Sequence, residues 1–469
     1  MCIRDRTNKN IQTNNRKRPA WGSFTAFLMA AIGSSIGLGN IWKFPYELGI
    51  HGGGTFLLVY IPCVLLVAFP LVLAELMIGR MGRGSPVQAI KNITEKQSLS
   101  GLWTVIGWFG VLISFLVFSY YSVVGSWILF YIMQSLFGAF VDVPSEIVQN
   151  SYGALLQNTE QLLLWHAVFV LLVVVVLTRD VRRGIERAVF FLMPAFIGFL
   201  IWLCFYASEV GDFEKAYDFI FTYDLSLINS ELIVSALAQA LFSLSIGIGI
   251  LIVFGSYLNV KRPLFFGAGV IMVFVTSIAL AMGLLIFSIV FAFGLQVDSG
   301  PGLIFETLPV AFSQITSGSA LLSASFFILM LATALTSGFA LLEPCISWLT
   351  GRFSISRRYA AWLVGLLAWL FGLVSVFSFS DLSFNFYYFD KEHFHGAFDV
   401  LNILTTHVLM PLTALLVAIF TGWSLSKGDT QEALDVRWSI AYKLWRISIK
   451  FITPGALIAI LFIVLFFPA

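Results

Sequence analysis

Charged residues are scarce in this sequence. Asp, Glu, Lys and Arg together make up 11% of the 469 residues, whereas a soluble domain averages about 25%. Hydrophobic residues make up 59%, and apolar runs long enough to cross a bilayer recur along the whole chain. A water-soluble fold is therefore excluded. Because hydrocarbon offers backbone N–H and C=O groups no partner, such runs must be helices, and we expect an all-α membrane protein of about 11 transmembrane helices.

Residue patterns that hold metals or phosphates are also missing. The four cysteines stand singly, without paired or metal-type spacing, so we expect free thiols. The five histidines form no metal pattern, and neither a phosphate-binding loop nor an HExxH sequence occurs. These absences argue against an intramembrane enzyme. The partners indicated are a small solute and membrane lipid, no nucleic acid is expected, and the residues carry no signal of oligomeric state.

The sign of charge alternates from loop to loop. Basic clusters such as 179–187 and 352–358 alternate with acidic loops such as the one that carries Asp212, Glu214 and Asp218. By the positive-inside rule the basic loops face the cytoplasm, and so does the N-terminus. We therefore expect a multi-pass protein of the cell (inner or plasma) membrane. Residues 1–18 are polar and basic, which predicts a disordered cytoplasmic tail.

Two of the expected spans contain clustered glycines and hydroxyls. The first reads GSSIGLGN at 33–40, and the sixth reads SLSIGIG at 243–249. Paired glycine-interrupted segments at matching positions of two halves mark the central site of a transporter. We predict two inverted five-helix repeats, over 19–207 and 208–424, with helices 1 and 6 broken. An extracellular re-entrant helix is expected near 301–316, and 425–469 predicts an additional helix 11.

A broken helix at mid-membrane has the chemistry of a binding site. Freed carbonyls are oxygen ligands for a cation, and the N-terminus of a half-helix suits a carboxylate. The alternative is close helix packing, because Gly33 and Gly37 have the spacing of a small-xxx-small motif. Asn40, the adjacent Ser34 and Ser35, and the second interrupted span favour the binding site.

The stretch 21–86 resembles the neurotransmitter:sodium symporters, in particular their bacterial, leucine-transporter-like members. It contains GLGNIWKFP at 37–45, GGG at 52–54 and the segment 75–84. Further matches follow in order: Tyr120-Tyr121 with Trp127, the segment 239–249, and Leu335-Thr336-Ser337. The resemblance covers nearly the whole chain. It implies inverted repeats with broken helices, and uptake of a solute coupled to sodium.

The resemblance implies one well-supported sodium site between helices 1 and 8. Its ligands would be the carbonyls of Gly33, Ile36 and Thr333 with the side chains of Thr336 and Ser337. Positions 333, 336 and 337 share one helix face, which fits this role. The alternative is that the hydroxyls bond to carbonyls of the preceding helical turn.

A second sodium site is implied with less support. Its ligands would be Ser35, Asn40, Ser243 and the substrate carboxylate. Ungapped alignment puts Val275 where relatives carry Asn or Asp, so either a one-residue shift supplies Thr276 or the site is weakened or lost. We therefore expect one or two sodium ions.

Chloride dependence is left open by the resemblance. Tyr60, Gln239 and Ser243 match three positions of the chloride site of relatives, whereas Ala279 stands where Ser or Glu would complete it. The alternative for Tyr60 and Gln239 is that they are buried polar groups bonded to neighbouring helices.

The substrate implied is a neutral amino acid. Gly37 stands where relatives that carry monoamines place an aspartate. The residues expected around the substrate are Ser34, Ser35, Gly39, Val117, Tyr121, Phe242, Ser245, Ile248, Ser337 and Leu341. Their largely apolar lining favours a hydrophobic or aromatic side chain. The predicted function is sodium-coupled symport by alternating access, and the alternative is an amino-acid-binding sensor of the same fold without coupled transport.

Two gates are implied as well. On the outer side Lys43 would pair with Asp399 near the start of span 10, as a point charge where relatives use an arginine fork. On the inner side Arg18, Trp21 and Tyr257 match the gate. The position of its acidic partner is Gly351, and Glu343 is the nearest intramembrane acid. The alternative for Arg18 is a solvated surface residue.

Overall fold

The computed structural model describes residues 20–141, 143–258, 263–295, 302–315, 318–388, 391–434 and 440–466. Within these residues nine uninterrupted helices are long and apolar enough to cross a membrane. Numbered as spans by their order in the chain, they are span 2 (Gly54–Gly82), span 3 (Gly101–Leu136), span 4 (Thr159–Leu177), span 5 (Arg182–Val210), span 7 (Leu264–Ala292), span 8 (Ser319–Phe353), span 9 (Arg357–Phe377), span 10 (Gly396–Ser424) and span 11 (Ile440–Phe466).

Spans 1 and 6 are interrupted. Span 1 consists of Phe24–Ser35 and Gly39–Ile50, whose axes differ by 57°. Span 6 consists of Ser230–Ser243 and Ile250–Ser256. The predicted all-α architecture with broken helices is therefore confirmed. Span 1 brings the spans long and apolar enough to cross a membrane to ten among the described residues, and the shorter halves Ser230–Ser243 and Ile250–Ser256 lie where span 6 of the predicted 11 is expected.

Shorter elements occupy the connections. They are the helices Pro86–Lys96, Ser145–Gln157, Phe213–Phe221 and Lys427–Leu434, the short turns Gly101–Thr104 (which opens span 3) and Leu225–Leu227, and a helical segment formed by Leu303–Thr307 and Leu308–Ser313. Phe386–Tyr388 and Lys391–His393 pair as an antiparallel hairpin, with Phe386 opposite His393. The sequence pattern did not predict this hairpin. The segment Leu303–Ser313 lies at the predicted re-entrant helix and is largely buried.

Span 8 lies at the centre of the bundle. In its most apolar window 83% of the residues are buried, a larger share than in any other uninterrupted span. It packs against span 3, where Ser114 donates a hydrogen bond to the Leu341 carbonyl. Span 3 also lies close to the break in span 6. If Gly110 had a Cβ atom, it would lie only 3.1 Å from the Cα of Gly249. These contacts place the two interrupted spans beside the central helices.

The two ends of the bundle differ in the charge of their loops. The end called the basic side here holds Trp21, Arg179 and Arg357, and the opposite, acidic side holds Glu47 and Asp399. Residues 1–18, the predicted tail, lie outside the described part of the chain. The repeat boundaries at 207 and 424 stay predictions.

Candidate functional site

The break in span 1 exposes main-chain groups at mid-span. The first half ends at Ser35, and Ile36 leaves helical geometry with φ −80° and ψ 65°. The helix resumes at Gly39, and the Asn40 N–H donates to the Gly37 carbonyl over 3.0 Å. Glycine at 37 and 39 permits this path, since neither position has a side chain to obstruct it.

The break in span 6 has a different geometry. Its first half ends at Ser243, and positive φ angles follow at Ser245 (54°), Gly247 (82°) and Gly249 (81°). Left-handed geometry carries little penalty at glycine. The freed N–H of Gly247 donates over 2.8 Å to the carboxylate of Glu75, which is fully buried in span 2. A buried acid therefore supports the unwound segment.

A small cavity of about 30 Å³ lies between the two breaks. It is lined by Ser34, Ser35, Gly37, Leu38, Gly39, Asn40, Val117, Tyr121, Phe242, Ser245, Ile248, Ile250, Ser337 and Leu341. All ten residues that the sequence assigned to a substrate are among them, together with four that it did not assign to this role. Spans 1, 3, 6 and 8 thus converge on one space.

A group of oxygens joins span 8 to the end of the first half-helix. The Thr336 hydroxyl lies within hydrogen-bond distance of two acceptors, the Gly33 carbonyl at 2.8 Å and the Thr333 carbonyl at 3.0 Å. The Ser337 hydroxyl lies 3.4 Å from the Gly33 carbonyl and 3.2 Å from the Ser34 carbonyl. Hydroxyl and carbonyl oxygens are ligands suited to a hard monovalent cation. These oxygens are called the oxygen ring below.

The remaining members of the predicted sodium site lie beside the oxygen ring. Ile36 is fully buried directly after the first half-helix. The Thr333 hydroxyl bonds to the Met330 carbonyl over 2.8 Å, so only its main-chain oxygen faces Thr336. In span 8 the Thr333 hydroxyl therefore bonds to the preceding turn of its own helix, as the alternative interpretation expected. The Thr336 hydroxyl also reaches span 1, as a sodium site would require.

A second polar cluster lies on the other side of the cavity. The Asn40 amide donates to the Ser35 carbonyl over 2.5 Å and to the Ser243 carbonyl over 3.3 Å. Gln239 donates to the Gly39 carbonyl over 3.0 Å and to the Ser243 hydroxyl over 3.1 Å. The side-chain oxygens of Asn40, Gln239 and Ser35 are buried and have no hydrogen-bond partner among the described residues. A buried oxygen without a partner is energetically costly. A cation bound in this cluster would provide these oxygens with a partner.

The outer part of this cluster is incomplete as a metal or anion site. The Tyr60 hydroxyl lies 3.4 Å from the Ser243 hydroxyl and also interacts with Thr276. Val275 and Ala279 are fully buried and have no polar side-chain atom. Thr276 thus reaches Tyr60, and its role as a sodium ligand through a one-residue shift stays a prediction.

Phe242 covers the cavity toward the acidic side. Its ring lines the cavity and packs so closely on Gly39 that a Cβ there would lie 2.1 Å from a ring carbon. The Lys43 ammonium lies 5.2 Å above the ring centroid, within the range of a cation–π interaction. We call Phe242 and Lys43 the acidic-side lid.

The predicted pair of Lys43 and Asp399 is not formed in the described residues. Asp399 accepts a 3.0 Å hydrogen bond from the His395 N–H and lies 3.7 Å from His393 Nδ1. Its carboxylate is thereby held by the residues that precede span 10, while Lys43 turns to Phe242 and Glu47.

Packed aromatic and charged groups close the basic side. Trp21 donates from its indole to the Phe254 carbonyl over 3.1 Å, and its N–H donates to the Tyr257 carbonyl over 3.2 Å. The Tyr257 hydroxyl donates to Glu343 over 2.7 Å. At 1.5 Å per residue, Trp21 lies roughly 20 Å along the helix from Ser34, well separated from the cavity.

Arg357 is the cationic partner on this side. Its two terminal nitrogens bind the Glu343 carboxylate at 2.7 and 2.5 Å, a bidentate geometry that favours strong pairing. Gly351, at the position expected for an acid, lies in open space. Arg18 lies outside the described residues. The buried carboxylate at this side is Glu343, and its described partners are Tyr257 and Arg357.

Sequence reasoning gave no role to Glu75 and Arg357. Glu75 could have been found, since an acid inside an apolar span is a functional-site hypothesis by default. Arg357 could not have been found in this way, because it lies in a basic loop among several arginines. Only the turn between spans 8 and 9 brings it to Glu343.

Three comparisons connect this architecture with known proteins. The sequence model of the sodium:neurotransmitter symporter family matches residues 18–152 and 148–468. An uncharacterised sodium-dependent transporter of Bacillus subtilis (strain 168) is 33% identical over 95% of this chain and 98% of its own length. One from Haemophilus influenzae is 30% identical over 96% of this chain and 99% of its own length. The crystal structure of MhsT in complex with L-phenylalanine matches with a TM-score of 0.87 and 34% identity, covering 94% of this chain and 99% of that one.

Proposed function

The chain belongs to the sodium:neurotransmitter symporter family, a family of multi-pass, sodium-dependent membrane transporters, and on that premise we propose that it carries a neutral, hydrophobic or aromatic amino acid into the cell together with sodium. The oxygen ring supports sodium binding between spans 1 and 8. Its carbonyls come from a helix that has just unwound, and its hydroxyls come from the enclosed central helix. Sodium there would fix the distance between the two spans.

The substrate's charged ends fit the main-chain groups of the breaks. A carboxylate near Gly39 would lie at the N-terminus of the second half of span 1, where the helix dipole favours a negative charge. The Tyr121 hydroxyl lies near Ser337 and the Leu38 main chain but meets neither with hydrogen-bond geometry, so it can donate to the same carboxylate. The carbonyls of Ser35, Phe242 and Ser245 would hold the ammonium group.

The side-chain pocket is apolar. Val117, Ile248 and Leu341 line it together with the Phe242 ring, and burial of apolar surface favours a substrate with a large apolar side chain. No acidic side chain lines the cavity, so a substrate amine without a carboxylate would lack a counter-charge. L-phenylalanine in the related MhsT structure is an amino acid of this class.

Transport requires that the cavity open to one side at a time. In the proposed orientation the basic side faces the cytoplasm, the acidic-side lid is the outer gate, and the group of Trp21, Tyr257 and Glu343 is the inner gate. Sodium and substrate both contact span 1, whose two halves reach the two gates. Ligand binding can therefore shift the equilibrium between outward- and inward-facing states, provided that the two states bind the ligands with different affinity.

One observation carries this proposal. Ser337 and the span 1 main chain at Ser34 belong both to the cavity wall and to the oxygen ring. An ion in the ring and a solute in the cavity would thus share supporting residues, which is the structural basis for coupling their binding. The second cluster at Asn40 is proposed as a weaker sodium site, because Val275 supplies no ligand.

Uptake into proteoliposomes tests the proposal. Labelled phenylalanine, leucine, alanine, lysine and glutamate are offered with sodium, lithium or potassium outside. We expect accumulation of phenylalanine and leucine that requires sodium, and little accumulation of lysine or glutamate. Equal accumulation in potassium would reject sodium coupling. Saturable binding without accumulation would assign the chain as a sensor.

A further inference from the structure

Three consecutive residues at the start of span 1 bind other parts of the protein through their main chains. The Ala20 carbonyl accepts a 3.2 Å hydrogen bond from Arg182 Nε, and the Gly22 N–H donates to a Glu186 carboxylate oxygen over 2.8 Å. Between them, the Trp21 N–H binds the end of span 6 over 3.2 Å. The tripeptide is therefore held from two directions, and the inner gate described above includes only the contacts with span 6.

The second direction is the first turn of span 5. Arg182 and Glu186 lie four residues apart there, and side chains at this spacing are neighbours on a helix surface. One face of span 5 thus presents a donor to Ala20 and an acceptor to Gly22. Hydrogen bonds in which one partner is ionised are the stronger ones. Arg182 and Glu186 are called the span 5 clamp below.

Glycine at position 22 makes the carboxylate contact possible. A Cβ there would lie 2.5 Å from Glu186 Oε1, so a side chain would push the carboxylate away from the N–H. The next residue, Ser23, caps the first half-helix by accepting from the Ala26 N–H over 3.0 Å. Because a helix N-terminus has a partial positive charge, the nearby carboxylate also stabilises this helix start. The span 5 clamp therefore helps to fix where span 1 begins.

Trp21 lies at the centre of these contacts. Its side chain is 7% exposed, and its indole donates to the Phe254 carbonyl over 3.1 Å. The ring also packs edge-on against the rings of Phe254 and Tyr257. The position of the indole depends on the main chain before and after it, and both neighbours are bound by the span 5 clamp. The clamp thus acts on the gate through Trp21.

Span 5 contacts the same half-helix again near the oxygen ring. Met193 is buried, and a Cβ on Gly33 would lie 2.8 Å from its Sδ. The first half of span 1 is thus held by Glu186 near its start, and by Met193 and Thr336 near its end. A helix of 12 residues connects these points. Since helices move as rigid elements, movement of its start would also displace the Gly33 carbonyl.

We propose that Arg182 and Glu186 are positioning residues of the inner gate: they bind the main chain on either side of Trp21 and so keep the basic side closed. The inference rests on the proposed function, because it concerns the inner gate of the same transport cycle. Departure of Trp21 from its place pulls residues 20 and 22 away from span 5 and breaks both hydrogen bonds. Loss of either contact therefore shifts the population toward the inward-open state.

Accessibility of the cavity from the basic side tests this inference without any transport. Cys2, Cys63, Cys204 and Cys345 are replaced by serine or alanine, and Val117→Cys places a single thiol in the cavity. Inside-out membrane vesicles, which expose the basic side in the proposed orientation, are treated with a membrane-impermeant methanethiosulfonate in sodium buffer without substrate. The same reaction in right-side-out vesicles gives the labelling rate from the acidic side.

Glu186→Ala and Arg182→Ala should each raise the labelling rate from the basic side about threefold or more, and neither should raise the rate from the acidic side. Gly22→Ala, whose methyl group displaces the carboxylate, should act in the same direction. Added to Glu186→Ala, it should change the rate little further, because both remove one contact. Arg183→Ala, the matched control, removes an exposed cation of the same turn and should be labelled as the parent is.

Basic-side rates that stay at the parental value in Glu186→Ala and Arg182→Ala would overturn the inference. An equal rise from both sides would also overturn it, since that indicates a general loosening of the fold. The two single variants keep the test decisive if one of them does not fold. Because uptake is not measured, a chain that fails the sodium-uptake test can still show that the span 5 clamp closes the basic side.

Discussion

The Thr336 hydroxyl donates a 2.8 Å hydrogen bond to the carbonyl of Gly33, so the central span 8 is joined to span 1 two residues before the first half-helix ends. Both residues are buried. The bond is directed at one of the oxygens that the proposed sodium ion would use. A cation at this point would be coordinated by oxygens of both spans, and this would hold the spans together more strongly than the hydrogen bond does.

Thr336→Val should weaken sodium binding while leaving the fold intact, because valine has nearly the shape of threonine and lacks the hydroxyl. We expect the sodium concentration for half-maximal phenylalanine uptake to rise about tenfold, which corresponds to about 1.4 kcal/mol. The measurement is initial uptake as a function of external sodium.

Thr333→Val is the matched control. Its hydroxyl bonds to Met330 within the same helix, and the site uses its carbonyl, so sodium dependence should change by less than about twofold. If both substitutions raise the sodium requirement equally, the oxygen ring is not the sodium site.

Tyr121→Phe should reduce substrate affinity, because its hydroxyl, which meets no neighbour with hydrogen-bond geometry, can donate to the substrate carboxylate. A hydrogen bond to a charged group contributes about 1.5–3 kcal/mol, so we expect a loss of roughly 10- to 100-fold in phenylalanine binding. Binding is measured by isothermal titration in saturating sodium.

Phenylethylamine, which lacks the carboxylate, is the comparison ligand for Tyr121→Phe. It should bind weakly to both forms and with the same affinity. A similar loss for both ligands would show that the hydroxyl supports the pocket rather than the carboxylate.

Val275→Asn should strengthen the second cluster, because the resemblance places position 275 where relatives supply a side-chain oxygen from span 7. Expected is a steeper dependence of uptake on sodium, with a Hill coefficient that increases from near one toward two. The same measurement on Val275→Leu, which fills the position without an oxygen, should leave the steepness as it was. A steeper curve in both variants would show that the change does not come from sodium coordination by the new side chain.

Much of this site was predictable because its residues carry local signals. Glycines and hydroxyls at 33–40 and 243–249 contradict an aliphatic span, and they identified both breaks. The ten predicted lining residues form one cavity for the same reason: the breaks determine where spans 3 and 8 must face. The hairpin 386–393 was missed, because its short strands lie in an aromatic loop without an alternating pattern.

Long-range ionic partners were less predictable, since they depend on which way a long side chain turns. Lys43 has Phe242, Glu47 and span 10 within reach, and the residue numbers do not decide among them. Asp399 was expected at Lys43 but is held by the main chain of His395, four residues earlier. The pairing of Glu343 with Arg357 was not predictable either, because it depends on the turn between spans 8 and 9.

Arg357→Ala should destabilise the protein strongly, because it leaves the Glu343 carboxylate, whose side chain is 0% exposed, without its bidentate partner. Removing one partner of a buried ion pair costs about 3–5 kcal/mol. We expect a clear loss of thermal stability in detergent.

The double variant Arg357→Leu/Glu343→Leu is the comparison, since it removes both charges. It should recover most of the lost stability, because no buried charge is left unpaired. If the double variant is as unstable as Arg357→Ala, then Arg357 stabilises the protein through packing of its aliphatic side-chain atoms and not through its charge.

The most direct test of the central claim measures both fluxes in the same proteoliposomes. Labelled phenylalanine and radioactive sodium are followed together after a sodium gradient is imposed. The proposed mechanism predicts that each amino acid enters with a fixed number of sodium ions, and that Thr336→Val lowers both fluxes in parallel at subsaturating sodium. Phenylalanine that accumulates without any accompanying sodium entry would contradict it.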